Sequence, residues 1–452
     1  MFTSTNPATG ETVATYDELT ADEAETKVQR AHEAYREWRL STCATRTALL
    51  SRIADGFEAD KRRLGEIATR EMGKTLKSAI AEVEKCAAAF RHYAEHGPAM
   101  LEDHRFRVAG GTATARWLPM GPVLAVMPWN FPYWQVVRFA APTIMAGNVG
   151  LLKHASNVQG VAAALEDTIR AAGAPEGLFQ NLAVKADKVA GLIADDRIVA
   201  VTLTGSEGAG IKVAEAAGRA LKKVVLELGG SDPFIVMPSA DLDRAAEIAV
   251  TARIQNTGQS CICAKRMIIH AQVHDAFLER FTAGMKAVRA GDPMDPATDM
   301  GPLSSDEQRR TVLDQLGRLQ QAGARLLFGG EALPGTGAYM SAGVLTDVPL
   351  DDPVAQEELF GPVAMVFRAA DIDEVIRIAN AVPFGLGSSV WTNDEAEQQR
   401  FIRDLDVGMT AINRMLASAP AAPFGGVKRS GHGRELGPYG LHEFMNLKTV
   451  ME

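Results

Sequence analysis

Gly121-Pro122-Val123-Leu124-Ala125-Val126-Met127-Pro128-Trp129-Asn130-Phe131-Pro132 joins an apolar run of strand length to a polar corner set between prolines. Runs of the same kind recur at 149–152, 179–184, 198–203 and 224–228, and helical patterns fill 158–172 and 209–221 between them. Strands alternating with helices predict a parallel sheet covered on both faces. Ligands of such sheets bind beyond the carboxyl ends of the strands. Asn130 follows the first run, Lys153 the second and Gly205-Ser206 the fourth, so all three fall in that zone.

Working outward, residues 21–95 alternate charges with Ala and Leu at helical spacing, notably at 24–38 and 49–59. They read as a solvated helical layer over the sheet. Residues 101–119 are polar and strand-like around Gly110-Gly111, a hairpin signal. After Gly230 a second α/β region opens with a strand at 233–237 and a helix at 241–255, and it runs to 408–413. The stretch 444–452 reads as a last strand. There is no internal repeat, low-complexity segment or flexible linker, so the domains are expected to pack closely.

A chain of 452 residues leaves room for two or three domains and a large core. Its 46% hydrophobic and 23% charged residues are those of an ordinary globular protein, and a net charge of −9 argues against nucleic acid as a partner. No apolar run is long enough to cross a bilayer, and the opening Met1-Phe2-Thr3-Ser4-Thr5-Asn6 lacks the blocks of a signal peptide. With only four cysteines the expected setting is reducing and cytoplasmic. The scattered histidines predict no metal site.

One of those cysteines lies in Asn256-Thr257-Gly258-Gln259-Ser260-Cys261-Ile262-Cys263-Ala264-Lys265-Arg266. Alone, Cys261 reads more commonly as an inert buried thiol. Asn130 in Pro128-Trp129-Asn130-Phe131-Pro132 reads alone as a turn residue, and Glu227 in Leu226-Glu227-Leu228-Gly229-Gly230 as a structural carboxylate. Together with Glu357-Glu358-Leu359-Phe360-Gly361-Pro362 they supply a thiol, a candidate base and an amide donor beside constrained backbone. Those are the parts that covalent chemistry at a carbonyl needs.

These four stretches, in this order, resemble the NAD(P)-dependent aldehyde dehydrogenase superfamily, and within it the short bacterial succinate-semialdehyde dehydrogenases. The likeness runs from Asn6-Pro7-Ala8-Thr9-Gly10 to Phe424-Gly425-Gly426-Val427-Lys428-Arg429-Ser430-Gly431. It implies an α/β fold with a Rossmann-like cofactor domain (1–100 and 120–229), a catalytic domain (230–431) and a small β oligomerisation element (101–119 and 432–452). A homodimer or homotetramer acting on a small aldehyde is the implied assembly.

The resemblance also assigns roles. An aldehyde gives up hydride readily only after a nucleophile makes its carbon tetrahedral; a thiolate does this and later leaves well from a thioester. Cys261 holds the nucleophile's position, Asn130 that of the oxyanion donor beside the Cys261 N–H, and Glu227 that of the base that hydrolyses the thioester. Glu227 is expected at a tight, solvent-reachable corner. Trp129, Lys153, Gly205, Ser206, Gly210, Leu228, Glu358 and Phe360 match cofactor-contacting positions, with Thr204-Gly205-Ser206-Glu207-Gly208-Ala209-Gly210 as the phosphate turn. Ser156 stands where relatives strict for NAD often carry Glu; a neutral hydroxyl there removes repulsion of a 2′-phosphate, so NADP is expected at least as readily as NAD. Arg138 matches an arginine facing the distal carboxylate of semialdehydes, with Ser418 and Phe424 beside the substrate. Gln255 replaces a second arginine of some relatives, which leaves glutarate semialdehyde, lactaldehyde and general aliphatic aldehydes as alternatives. Cys263 matches a redox partner for Cys261 in some relatives and is otherwise a small apolar neighbour. Transfer to coenzyme A is disfavoured by Glu227, and a catalytically silent relative by the presence of Cys261, Glu227 and Asn130 together.

Overall fold

The computed structural model describes residues 1–452. Its first sheet orders the strands Gly431–His432, Lys223–Glu227, Ala200–Thr204, Pro122–Met127, Val149–His154 and Phe179–Asn181. All neighbours are parallel except the first pair. From Pro122–Met127 the chain adds strands to one side, then returns to add Ala200–Thr204 on the other. The order reverses between those two strands, which is where α/β sheets leave a crevice.

Helices Ala21–Trp38, Cys43–Ala59, Lys61–Met72 and Leu76–Met100 form the expected layer. Thr20 and Glu23 close the first in a capping box, and its apolar stripe Val28, Ala31, Tyr35 and Trp38 joins the core. The helix Trp134–Ala146 has no counterpart in the sequence reading. Every residue in it is buried, so it shows no polar face and no helical period.

The second sheet orders Arg325–Phe328, Gly343–Thr346, Val363–Ala369, Ala264–His270, Asp232–Val236, Gly387–Trp391 and Met409–Ile412, parallel but for the first pair. Successive residues point to opposite faces: Ile235 and Ile268 enter one core, Phe234, Val236, Met267 and Ile269 the other. Cys261 lies just before Ala264–His270, so the amino end of this central strand meets the crevice of the first sheet.

A third sheet sets Met445–Met451 against Gly111–Pro119 and that strand against His104–Val108. Only 445–451 of the C-terminal stretch belongs to it. Residues from Gly431 to Phe444 return to the first domain instead, because Gly431–His432 extends its sheet and Leu436, Leu441 and Phe444 join its core. No helix is long and apolar enough to cross a membrane.

Candidate active site

Cys261 stands at the meeting of two cavities. One, of about 160 Å³, is lined among others by Phe131, Trp134, Arg138, Gln255, Ser418 and Phe424. The other, of about 300 Å³, is lined by Trp129, Asn130, Gly205, Ser206, Leu228 and Glu358, with Phe360 beside them. Cys261 lines both.

The loop that carries the thiol is held in an unusual shape. Asn256 and Thr257 have φ of 53° and 57°, costly for side-chain-bearing residues and most so for a β-branched one. Hydrogen bonds hold them there: Asn256 Nδ2 donates to the carbonyls of Asn130 and Gln259 (2.7 and 3.1 Å), and Thr257 Oγ1 to that of Gly301 (3.1 Å). Arg253, fully buried, donates to the carbonyls of Gly258, Leu359 and Gly361, and so ties this loop to the one bearing Glu358. Lys265 donates to the carbonyls of Ser260 and Cys261 at 2.6 and 2.7 Å and ion-pairs with Glu358 at 3.0 Å. Both Arg253 and Lys265 went unassigned in the sequence, although Lys265 lies four residues beyond Cys261 in the quoted stretch. Burial pushes the Cys261 thiol up to about 12 against the pull of Arg138 and Lys265, so its resting form is the thiol.

Asn130 donates one Nδ2 hydrogen to the carbonyl of Gln259 at 3.1 Å. A primary amide has two such hydrogens, which leaves the second for a ligand oxygen beside Cys261. Glu227 differs from expectation. It is only 2% exposed, lines neither cavity and has both carboxyl oxygens unpartnered. The strand Gly431–His432 lies against it and closes the corner that the sequence left open. Burial, then the charge of nearby Glu435, raises its carboxyl well above the usual range.

Arg138 does line the smaller cavity, but its charge is already matched. Nε stands 2.7 Å from Glu435 and the guanidinium lies 4.4 Å from the centre of the Phe424 ring. A cation on a fully buried helix needs an internal counter-ion, and Glu435 supplies it. Ser418 Oγ accepts from Lys85 Nζ at 2.8 Å and Trp134 Nε1 at 3.0 Å. Neither Lys85 nor Glu435 was foreseen. Cys263 is buried, lines neither cavity and donates to the carbonyl of Gln255 at 3.4 Å. Cys261 and Cys263 are both free thiols.

The larger cavity suits a dinucleotide. Gly205-Ser206 opens it at the start of the helix Glu207–Arg219, whose first N–H groups face an anion favourably. Its wall Glu358 accepts from Gly230 N at 3.2 Å and packs so closely on Gly229 that a Cβ there would lie 2.5 Å from Oε2. Trp129 and Phe360 meet edge to face at 5.9 Å. Gly210 plays a packing role, since a Cβ on it would meet Leu228 at 2.7 Å. Lys153, buried, and Ser156, exposed, lie at and beyond the carboxyl end of Val149–His154 and outside the enclosed part of the cleft. No group of three or more His, Cys, Asp or Glu side chains gathers as for a metal ion.

The model of the aldehyde dehydrogenase family matches residues 1–450. The chain belongs to this family. A Mycobacterium tuberculosis protein (strain H37Rv) named succinate-semialdehyde dehydrogenase (NADP(+)) 1 is 52% identical over 448 residues, 98% of each chain. A Mycolicibacterium paratuberculosis protein named succinate-semialdehyde dehydrogenase (NADP(+)) is 53% identical over 98% of this chain and 95% of its own. Among solved structures, succinic semialdehyde dehydrogenase from Streptococcus pyogenes in complex with NADP+ superposes with a TM-score of 0.98 at 36% identity, covering 100% of this chain and 99% of its own. Family membership makes this aldehyde dehydrogenase an oxidoreductase, and the α/β layers described above are the family's fold.

Proposed function

We propose that this aldehyde dehydrogenase oxidises succinate semialdehyde to succinate with NADP, through a covalent adduct on Cys261. The observation that carries the reading is that one sulfur lines both a small-molecule chamber and a dinucleotide cleft. The names of the mycobacterial relatives support the substrate and cofactor, as does the NADP+ held by the streptococcal structure.

The Cys261 thiol gives up its proton to solvent in the cleft as its sulfur bonds to the aldehyde carbon. Charge gathers on the substrate oxygen, where the second Nδ2 hydrogen of Asn130 and the Cys261 N–H receive it. A nicotinamide held by Trp129, Glu358 and Phe360 would supply the acceptor for the hydride that leaves this carbon. Glu227 then takes a proton from the water that splits the thioester, and Cys261 leaves as the acid forms. An unpartnered buried carboxyl is costly where it stands, which favours its turning toward the thioester. Trp129, Gly205, Ser206, Leu228, Glu358 and Phe360 hold the cofactor. Lys153 and Ser156 meet its adenosine ribose, where a cation and a hydroxyl without a carboxylate accept a 2′-phosphate. Arg138, Ser418 and Phe424 wall the substrate.

The enzyme assembles as a homo-oligomer through the three-stranded sheet, and its reliance on a reduced thiol suits the cytoplasm. The test follows absorbance of the reduced nicotinamide with succinate semialdehyde, glutarate semialdehyde and butyraldehyde, each with NADP and NAD. The highest kcat/KM is expected for succinate semialdehyde with NADP, and Cys261→Ser should abolish turnover. Activity that survives this substitution would overturn the covalent route, and a strong preference for NAD would overturn the cofactor assignment.

A further inference from the structure

The Cys261 N–H belongs to the same peptide unit as the carbonyl of Ser260. A group that binds this carbonyl therefore acts on the N–H as well, because electron density drawn toward the oxygen leaves the hydrogen more positive. Ser260 O accepts two hydrogen bonds, from Cys263 N at 3.2 Å and from Lys265 Nζ at 2.6 Å. The Cys261 N–H has no acceptor within the protein. One end of the unit is thus engaged by a full positive charge while the other stays free to donate.

Lys265 is fully buried and lines neither cavity. Its ammonium has three hydrogens, and three oxygens receive them: the carbonyls of Ser260 and Cys261 and, at 3.0 Å, the carboxylate of Glu358. The head group is fixed in place by these contacts. A second carboxyl, that of buried Asp232, lies close enough for its charge to interact with Lys265. One of its oxygens accepts from Gly387 N at 3.1 Å and the other has no partner. Burial pushes Asp232 up to about 7 against the pull of Lys265, so near neutral pH it offsets that charge only in part. At the Cys261 sulfur the pull of Lys265 is second to that of Arg138 and exceeds the push of either Glu358 or Asp232. Little water intervenes to weaken a buried charge of this kind.

We propose that Lys265 is a positioning residue that acts through Cys261, favouring negative charge first on the sulfur and then, by polarising the Ser260–Cys261 peptide, on the substrate oxygen. This rests on the reading of Cys261 as the nucleophile and names a group that activates it.

The test uses Lys265→Met, which removes charge and donors, and Lys265→Gln, which keeps a neutral donor. In alkylation by iodoacetamide the thiolate displaces iodide, so below the thiol's pKa the rate reports the thiolate fraction. Followed at Cys261 by mass spectrometry, that rate should fall about tenfold in Lys265→Met. For succinate semialdehyde, kcat/KM should fall about 10- to 100-fold. Lys265→Gln should lie between wild type and Lys265→Met in both. Loss of a purely structural tether would loosen the loop and speed alkylation instead. Alkylation of Lys265→Met at or above the wild-type rate would therefore overturn the proposal even if turnover is lost, and so would an unchanged kcat/KM. If neither variant folds, Glu358→Gln reads the same charge from its other side. With that anion gone, alkylation should quicken about threefold, and an unchanged or slower rate would overturn the proposal. Wild-type turnover that survives full alkylation of Cys261 would refute the nucleophile and this inference together. A wild type silenced by alkylation, beside a Lys265→Met variant alkylated just as fast, would refute this inference alone.

Discussion

Arg138 sits between the carboxylate of Glu435 and the ring of Phe424, and Glu227 lies close enough to Glu435 for their charges to interact. Arg138→Ala would strand Glu435 without its partner, which for a buried pair costs about 3–5 kcal/mol. We expect a lower denaturation midpoint and similar losses toward charged and uncharged aldehydes; a loss confined to succinate semialdehyde would return the carboxylate role to Arg138. Glu227 carries a pH signature. Its folded-state pKa is raised, so its stabilising protonation is complete below the unfolded value near 4.3 and is lost as pH climbs through the folded value. The melting temperature of Glu227→Gln minus that of wild type should therefore grow between pH 5 and pH 8, by at least about 2 °C. A difference constant across that range would mean that the carboxyl does not titrate as buried. At Asn130 the expectation concerns rate: Asn130→Ala should lower kcat by about 100- to 1,000-fold while the fold survives.

Among the elements, the helix Glu207–Arg219 offers the sharpest test of how packing shapes the cofactor cleft. Its Gly210 faces Leu228, which lines the cleft, and a Cβ there would come within 2.7 Å of both Leu228 methyl carbons. Gly210→Ala should push Leu228 toward the cleft, raising KM for the cofactor about three- to tenfold at a stability cost near 1 kcal/mol. An unchanged KM would show that Leu228 yields in another direction. Cys261, Asn130 and Glu227 were singled out by stretches that resemble those of the family. Five strands of the first sheet were legible as apolar runs between helical patterns, but of the seven in the second sheet only the strand at 233–237 was read. The helix Trp134–Ala146 was not, since burial on every side erases the period that marks a helix. Nor was Lys85, whose partner Ser418 lies 333 positions away. Glu227 was placed on the right strand, but its closure depends on Gly431–His432, a two-residue strand too short to leave a pattern.

At the scale of the molecule, the third sheet is the part that does not complete itself. Antiparallel register sets Phe106 opposite Ala113 and Ala113 opposite Met451, so the three share one face, and Leu447 lies on that face four residues before Met451. Phe106, Leu447 and Met451 are 55, 49 and 67% exposed. The two outer strands, His104–Val108 and Met445–Met451, also keep one unpaired edge each. An apolar face with open edges, projecting from two well-packed domains, is what a second copy of the chain would cover. Leu447→Asp with Met451→Asp should therefore lower the mass measured by sedimentation equilibrium toward that of one chain of 48.4 kDa. Because neither residue lines the cavities around Cys261, the variant should keep its ratio of activities on different aldehydes even if it loses stability. A wild type that already sediments as a single chain would refute the assembly. A double variant that remains oligomeric would move the interface to another surface, with the sheet edges as the first place to look.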